Sequence, residues 1–363
     1  MPNLPIQLTN ITDDNPNWQS NWKSDFVNTI NDKQSLAKML DLPADFVETV
    51  FGETDEKNVG EKMSDFPLKV PQKFVKKMQK GDPNDPLLLQ ILPTFAETVQ
   101  TAGFVTDPLA EKSANPTKGI IHKYRSRVLM PITGACMVHC RYCFRQHFDY
   151  QENLPIADDW QTIVDYIEKN LDVNEVILSG GDPLSLSDRR LFAVLDTLEN
   201  IPQIRTIRLH SRVPVVIPNR LDDALLKRLS SSRCQIVLVI HANHPNELDD
   251  ETISYLQRAK LAGIALLNQT VLLKNINNDA DILANLSEKL WQAGVLPYYL
   301  HVLDKVAGAS HFYIDDAEAV AIYWQLLAKC AGYLVPKLVR ETPNEPFKTP
   351  INLYEQNQSI LSD

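Results

Sequence analysis

The sequence predicts an α/β protein curled as an incomplete barrel, and three observations predict it. From Arg127 onward, short β-branched runs alternate with longer amphipathic stretches, the pattern of strand–helix units in series that build a parallel sheet. No GxGxxG follows the first of these strands, which goes against a dinucleotide-binding sheet. At 363 residues the chain can bury a core of barrel size with additions.

The first region, residues 1–110, reads as an irregular helical layer. Trp22, Phe26 and Ile30 recur at helical spacing, as do Leu36, Met39 and Leu40 before Pro43. Phe74, Val75 and Met78 mark another helix, stopped by Gly81-Asp82-Pro83. These apolar residues are expected to pack against the main domain, and nothing in the layer is expected to carry chemistry.

In residues 111–335 the strand candidates are Val128 to Ile132, Glu175 to Leu178, Thr206 to Leu209, Ile236 to Ile240, Ala265 to Gln269 and Pro297 to Val302. Helix candidates run near Asp158 to Lys169, Asp188 to Glu199, Asp222 to Leu229, Asp249 to Leu261, Asp279 to Trp291 and Asp315 to Lys329. This is a partial (β/α)6 TIM-type barrel, whose binding residues sit at the C-terminal ends of the strands. Residues 336–363 are broken by prolines and read as a loop-like tail.

Composition excludes several classes. A formal charge of -10 goes against binding a nucleic-acid backbone. The N-terminal MPNLPIQLTN lacks the basic and apolar regions of a signal peptide, and no apolar run approaches a membrane span. A soluble, cytoplasmic protein is expected. Of five cysteines, Cys234 and Cys330 stand alone in apolar surroundings and read as core residues.

The other three, Cys136, Cys140 and Cys143, form a CxxxCxxC run after the first barrel strand. Residues at i, i+4 and i+7 share a helix face, but Thr133 and Gly134 break the preceding strand. A closed zinc site wants a fourth ligand, which only His139 or His147 offers locally. A [4Fe-4S] cluster normally takes four cysteines, so three would leave one iron open to a small molecule.

CxxxCxxC with Tyr142 and Phe144 around its last cysteine, and SGGDPL from Ser179 to Leu184, resemble the radical S-adenosylmethionine superfamily. The resemblance implies that superfamily's partial (β/α)6 barrel, a [4Fe-4S] cluster on Cys136, Cys140 and Cys143, and S-adenosylmethionine held by Ser179, Gly180, Gly181 and Asp182 with His241 and Gln269. Glycines let backbone approach closely, and Asp182 could pair with an ammonium group.

The tail segment PKLVRETPNEPFKTPINLY, with LLNQTVLLKNIN, HANHPNE and Tyr298 to Asp304, resembles the lysine 2,3-aminomutase family. That implies pyridoxal phosphate bound to the catalytic Lys348, with Lys123, Tyr124 and Arg127 of HKYRSR around its phosphate. Arg145 would receive the substrate carboxylate, and Asp304 and Glu341 the side-chain ammonium, an anionic pair that selects lysine. Asn344 to Phe347 stand where the enzyme that defines the family has a glycine run.

GDPNDPLL, GFVTDPL, PYYLHVLDKV and YLVPKLVRE are most similar to the branch that makes (R)-β-lysine for a ligase acting on elongation factor P. An electron donor is then also required. Two alternatives compete: a superfamily enzyme that lacks pyridoxal phosphate or acts on another amino acid, and a non-enzymatic, metal-stabilised binding module.

Overall fold

Strands form where the β-branched runs lie, and each helix that follows begins at a residue able to cap it. The computed structural model describes residues 22–46 and 66–353. The N-terminal ten residues read for a leader, and Tyr354 at the end of the tail motif, lie outside them. The strands are β1 (Thr29–Ile30), β2 (Val70–Pro71), β3 (Ile121–Tyr124), β4 (Arg127–Thr133), β5 (Glu175–Gly180), β6 (Thr206–Ser211), β7 (Gln235–Ile240), β8 (Ala265–Leu272), β9 (Leu296–Val302), β10 (Lys337–Arg340) and β11 (Thr349–Pro350).

β3 to β11 form one sheet in strict sequence order. The strands from β4 to β10 pair in parallel, and β3 and β11 flank them antiparallel at the two edges. The helices between the parallel strands are Asp159–Lys169, Asp188–Glu199, Asp223–Ser230, Asp250–Leu261, Ala280–Gln292 and Asp316–Lys329. In the last four, Asp222, Asp249, Asp279 and Asp315 accept backbone N–H groups of the first turn, contacts of about 1 kcal/mol each.

Alternation sorts the side chains. Ile207 and Leu209 of β6 are buried in the apolar layer, while Arg208 and His210 face a central cavity. Ile177 and Ser179 of β5, Gln269 and Val271 of β8, and Tyr299 and His301 of β9 line the same cavity. β8 runs three residues past Gln269 and β6 includes His210 and Ser211. These residues therefore stand within strands, not after them.

The tail departs from the expected loop. β10 adds a parallel strand beside β9, with Leu338 and Val339 only 4% and 2% exposed. Its prolines do not prevent this, because Pro336 precedes β10 and Pro350 lies on the edge strand, where a missing N–H is tolerated. The helical layer does pack against the barrel: Leu36, Phe74, Leu87 and Ile91 share one apolar core with Leu184 and Leu191. Ile30, however, leaves the helix Trp22–Val27 and pairs with Val70 in a two-stranded sheet. Cys234 is buried, whereas Cys330 is only partly so.

Leu338→Ala is expected to cost about 2 to 5 kcal/mol by leaving a cavity beside β9, seen as a lowered midpoint in thermal melts of the full chain. Leu171→Ala, at a side chain 80% exposed, should leave the midpoint nearly unchanged.

Candidate active site

β4 ends at Thr133 and the chain turns directly into the cysteine loop, which β5 holds from beside it. The Gly181 N–H donates to the Thr133 carbonyl at 2.6 Å and the Asp182 N–H to the Ala135 carbonyl at 2.9 Å. Gly180 has φ +115°, and a Cβ there would clash with the Thr133 carbonyl oxygen. A Cβ on Gly181 would come within 2.7 Å of the carbonyl carbons of Gly134 and Ala135. The two glycines thus admit the cysteine loop itself, a use that the ligand-approach expectation did not include.

Cys136, Cys140 and Cys143 line one cavity and form no disulfide. Burial pushes the Cys136 thiol well up, and burial followed by the charge of Cys140 pushes Cys143 to about 12. Cationic irons would reverse that preference, since a coordinating thiol is deprotonated. His139 and His147, the local candidates for a zinc ligand, do not line the cavity of the three cysteines; each bonds a backbone carbonyl, His139 Nδ1 with that of Pro67 at 2.8 Å and His147 Nε2 with that of Ala307 at 3.1 Å. Among the described residues no group of three or more His, Cys, Asp or Glu is arranged to hold a single metal ion.

The helical layer, expected to carry no chemistry, buttresses this loop. Glu97 pairs with the fully buried Arg141, whose Nε donates at 2.7 Å. Gln90 accepts from Arg212 Nη2 at 2.7 Å and from Asn243 Nδ2 at 3.0 Å.

Asp182 sits under the loop with both oxygens occupied. Oδ1 accepts from Ser211 Oγ at 2.7 Å and the Leu184 N–H at 3.0 Å; Oδ2 accepts from the Arg212 and Val213 N–H groups at 2.7 and 3.2 Å. Burial still raises its carboxyl to about 6 against those bonds. Its partners join the ends of β5 and β6, a structural task distinct from the expected ammonium contact.

Arg145 and Ser179 meet at 2.9 Å, Nη1 donating to Oγ. The arginine also makes a bidentate pair with Glu111, Nε to Oε2 at 2.8 Å and Nη2 to Oε1 at 2.7 Å. Five N–H groups are available on a guanidinium and these bonds use three. Nη1 and Nη2 each keep one for a carboxylate. Glu111, 4% exposed, went unrecognised in the sequence because it precedes the first regular strand and belongs to no motif.

Lys348 and Glu341 form an ion pair, and Glu341 Oε1 also accepts from Tyr124 Oη at 3.0 Å and Lys123 Nζ at 3.3 Å. Burial alone would raise the Glu341 carboxyl; Lys348 and Lys123 outweigh it and hold the group at about 2. Glu341 thus joins three residues expected around the cofactor, rather than standing apart with Asp304. Asp304 has no ion-pair partner among the described residues. Burial pushes its carboxyl up to about 7, with Lys348 and Lys123 pulling down and Glu341 and Glu111 adding to the rise. Arg127 stacks on Tyr124, its guanidinium 4.1 Å from the ring centre.

Polar atoms without partners face the remaining space. His210 Nε2, His241 Nε2, Gln269 Nε2 and His301 Nε2 are buried and unbonded. Burial holds the three imidazoles below their ordinary range, His241 at about 4. Four neutral groups on or just after β6, β7, β8 and β9 suit polar organic ligands, because leaving them unpaired is costly. His301 escaped notice in the sequence, although its spacing of two from Tyr299 marks the same strand face.

Residues 130–281 match the radical SAM superfamily, so the cavity belongs to a radical S-adenosylmethionine enzyme. The chain is 48% identical to the L-lysine 2,3-aminomutase of Haemophilus influenzae, over 91% of this chain and 95% of that one. Against the Escherichia coli K12 protein of that name identity is 44%, over 94% and 97%. Against that of Clostridium subterminale it is 32%, over 92% and 78%. The protein belongs to the L-lysine 2,3-aminomutase family, and is an isomerase. Among solved structures, Streptococcus suis SuiB superposes with TM-score 0.46 at 15% identity, covering 66% of this chain and 52% of that one.

The family's cofactors are a [4Fe-4S] cluster, S-adenosylmethionine and pyridoxal phosphate. The residues present fit them: three thiols on one loop, unbonded polar nitrogens around the cavity, and a lysine beside cationic and phenolic side chains.

Gly181→Ala is expected to destabilise the chain by about 1 to 3 kcal/mol through overpacking. Because the displaced backbone carries the cysteines, iron retained per chain after reconstitution should fall as well, measured by metal analysis beside thermal melts.

Proposed function

We propose that the protein converts L-α-lysine to (R)-β-lysine, and that the product serves the β-lysylation of elongation factor P in the cytoplasm. The observation that carries the first part is the meeting of Arg145, Asp304, Glu341 and Lys348 with Cys136, Cys140 and Cys143 on one cavity. The second part rests on the segments GDPNDPLL, GFVTDPL, PYYLHVLDKV and YLVPKLVRE. No helix among the described residues is long and apolar enough to cross a membrane.

Each end of lysine has a matching group. The two N–H groups left on Arg145 take the carboxylate in a planar fork. Asp304, without an ion-pair partner, takes the side-chain ammonium, and Glu341, though paired with Lys348 and Lys123, is near enough for its charge to act on Asp304. Holding both ends places the central carbons against the reactive groups, which is where a unimolecular arrangement lowers the barrier. Lys348 provides the amine that anchors pyridoxal phosphate, with Lys123, Tyr124 and Arg127 as the phosphate contacts. Ser179, Gly180, Gly181, Asp182, His241 and Gln269 form the S-adenosylmethionine side, Asp182 by shaping the loop. When bound, the cofactors supply a carbon radical that removes hydrogen from the substrate and a conjugated ring that carries the migrating nitrogen. The buried imidazoles remain neutral and offer their unbonded Nε2 atoms to the ligands.

The test is anaerobic turnover of reconstituted protein with lysine, S-adenosylmethionine, pyridoxal phosphate and a strong reductant, read by chiral separation of α- and β-lysine. (R)-β-lysine is expected, and its loss in both Cys140→Ala and Lys348→Ala. Cleavage of S-adenosylmethionine without β-lysine would remove lysine as the substrate.

The pH dependence has a defined sign. Asp304 gains a proton as pH falls through about 7, and the neutral acid no longer attracts an ammonium group. KM for lysine is therefore expected to rise as pH drops below 7, while Asp304→Asn should show a raised KM with that pH dependence removed.

A further inference from the structure

The best-connected side chain beside the cysteines has no role in the chemistry so far. Arg212 follows β6 and is 5% exposed. Its Nη1 donates to Cys140 Sγ at 2.7 Å and to Tyr142 Oη; its Nη2 donates to Gln90 Oε1 at 2.7 Å and Glu247 Oε2 at 3.1 Å. Its Nε is buried without a partner, and its backbone N–H is held by Asp182. Phe74 and Tyr142 lie against it, ring centres 5.5 and 5.6 Å from the guanidinium.

A buried cation ordinarily spends its fork on a carboxylate, and Glu247, with no exposed surface, is close enough to receive it. Glu247 takes one bond instead. Its other oxygen, Oε1, accepts from the Asn243 N–H at 2.9 Å, the His244 N–H at 3.1 Å and Gln90 Nε2 at 3.1 Å. The arginine is thereby divided between an anion and a sulfur, its charge fixed against Cys140 in a medium that screens it weakly.

We infer that Arg212 is a positioning residue that sets the reduction potential of the cluster through its contact with Cys140 Sγ. The inference rests on Cys140 being a cluster ligand. Reduction adds one electron from an external donor and one unit of negative charge to the cluster, with no proton required. A fixed cation beside a ligating sulfur favours the reduced form, and hydrogen bonds to the sulfurs are among the determinants of such potentials. Glu247 opposes it from the other side of the guanidinium.

The experiment is a redox titration of the reconstituted full chain, poised with dithionite and mediators and followed by electron paramagnetic resonance, with iron counted per chain. Arg212→Met keeps the stem and removes the charge. It is expected to lower the ratio of reduced to oxidised cluster at a fixed poise about tenfold, a shift of about 59 mV to more negative potential for one electron. Glu247→Gln is expected to move the midpoint the other way, and Arg212→Lys to stay closer to wild type than Arg212→Met. The opposed signs separate electrostatic tuning from loosened packing. If Arg212→Met does not retain its cluster, Glu247→Gln and Arg212→Lys carry the test. An unchanged midpoint in Arg212→Met at full iron content, or a downward shift in Glu247→Gln, overturns the inference. Full iron retention in Cys140→Ala would instead overturn the ligand assignment beneath it.

Discussion

The mouth of the barrel depends on one close approach, that of Gly180 and Gly181 to the backbone from Thr133 to Ala135. No side chain fits between these segments, so the end of β5 and the start of the cysteine loop move as one piece. Asp182 extends the contact sideways by accepting from Ser211, Arg212 and Val213 at the end of β6. Arg212 then returns to the loop through Cys140 and Tyr142. Three consecutive strand ends and the cysteine loop are thereby closed into a ring of short contacts, and a loop with few regular hydrogen bonds of its own acquires the rigidity that placing a reactive cofactor requires.

A second constraint comes from the sheet edges. β3 and β11 are not paired with each other, yet residues beside them meet: Glu341, next to β10, contacts Lys123 and Tyr124 of β3, and Lys348, next to β11, contacts Glu341. Charged side chains bridge the space where a complete barrel would place further strands. The same bridge concentrates cations where a phosphate is expected and keeps Glu341 ionised among them. Buried pairs of this kind are weak contributors to net stability, yet removing one partner is strongly destabilising because it leaves an uncompensated buried charge. Arg145 with Glu111 is a parallel case joined to the same bridge, since Lys123 Nζ also lies 3.9 Å from Glu111 Oε1: a fork oriented by one carboxylate and left with two N–H groups for another.

Much of this was legible in the sequence. The β-branched runs located β4 to β9 to within a few residues, because one face of each strand is packed into the apolar layer beneath the helices. The aspartates before the later helices marked their starts, because a cap acts within one turn. CxxxCxxC could be found as a local pattern, whereas Lys348, an isolated lysine in a proline-broken tail, stood out only through the family resemblance of its segment. What escaped had a different origin. β10 was hidden among prolines, since only pairing with β9 makes Leu338 and Val339 a strand. Glu111, Gln90 and Glu97 lay in a region with no regular period, and they gain their importance from partners 34, 122 and 44 residues away.

By itself, then, the sequence determined the strands β4 to β9 with the helices between them, and which residue types supply thiols, an amine and opposite charges, because those follow from short-range periodicity and intrinsic chemistry. Only the tertiary structure decided which charge faces which. It placed Asp182 under the cysteine loop, divided Arg212 between Glu247 and Cys140, joined Glu341 to Lys348, and left Asp304 without an ion-pair partner among the described residues. Such pairings depend on distances between strand ends that are remote in the chain, and electrostatic interaction in a buried cavity is governed by those distances and by the exclusion of water.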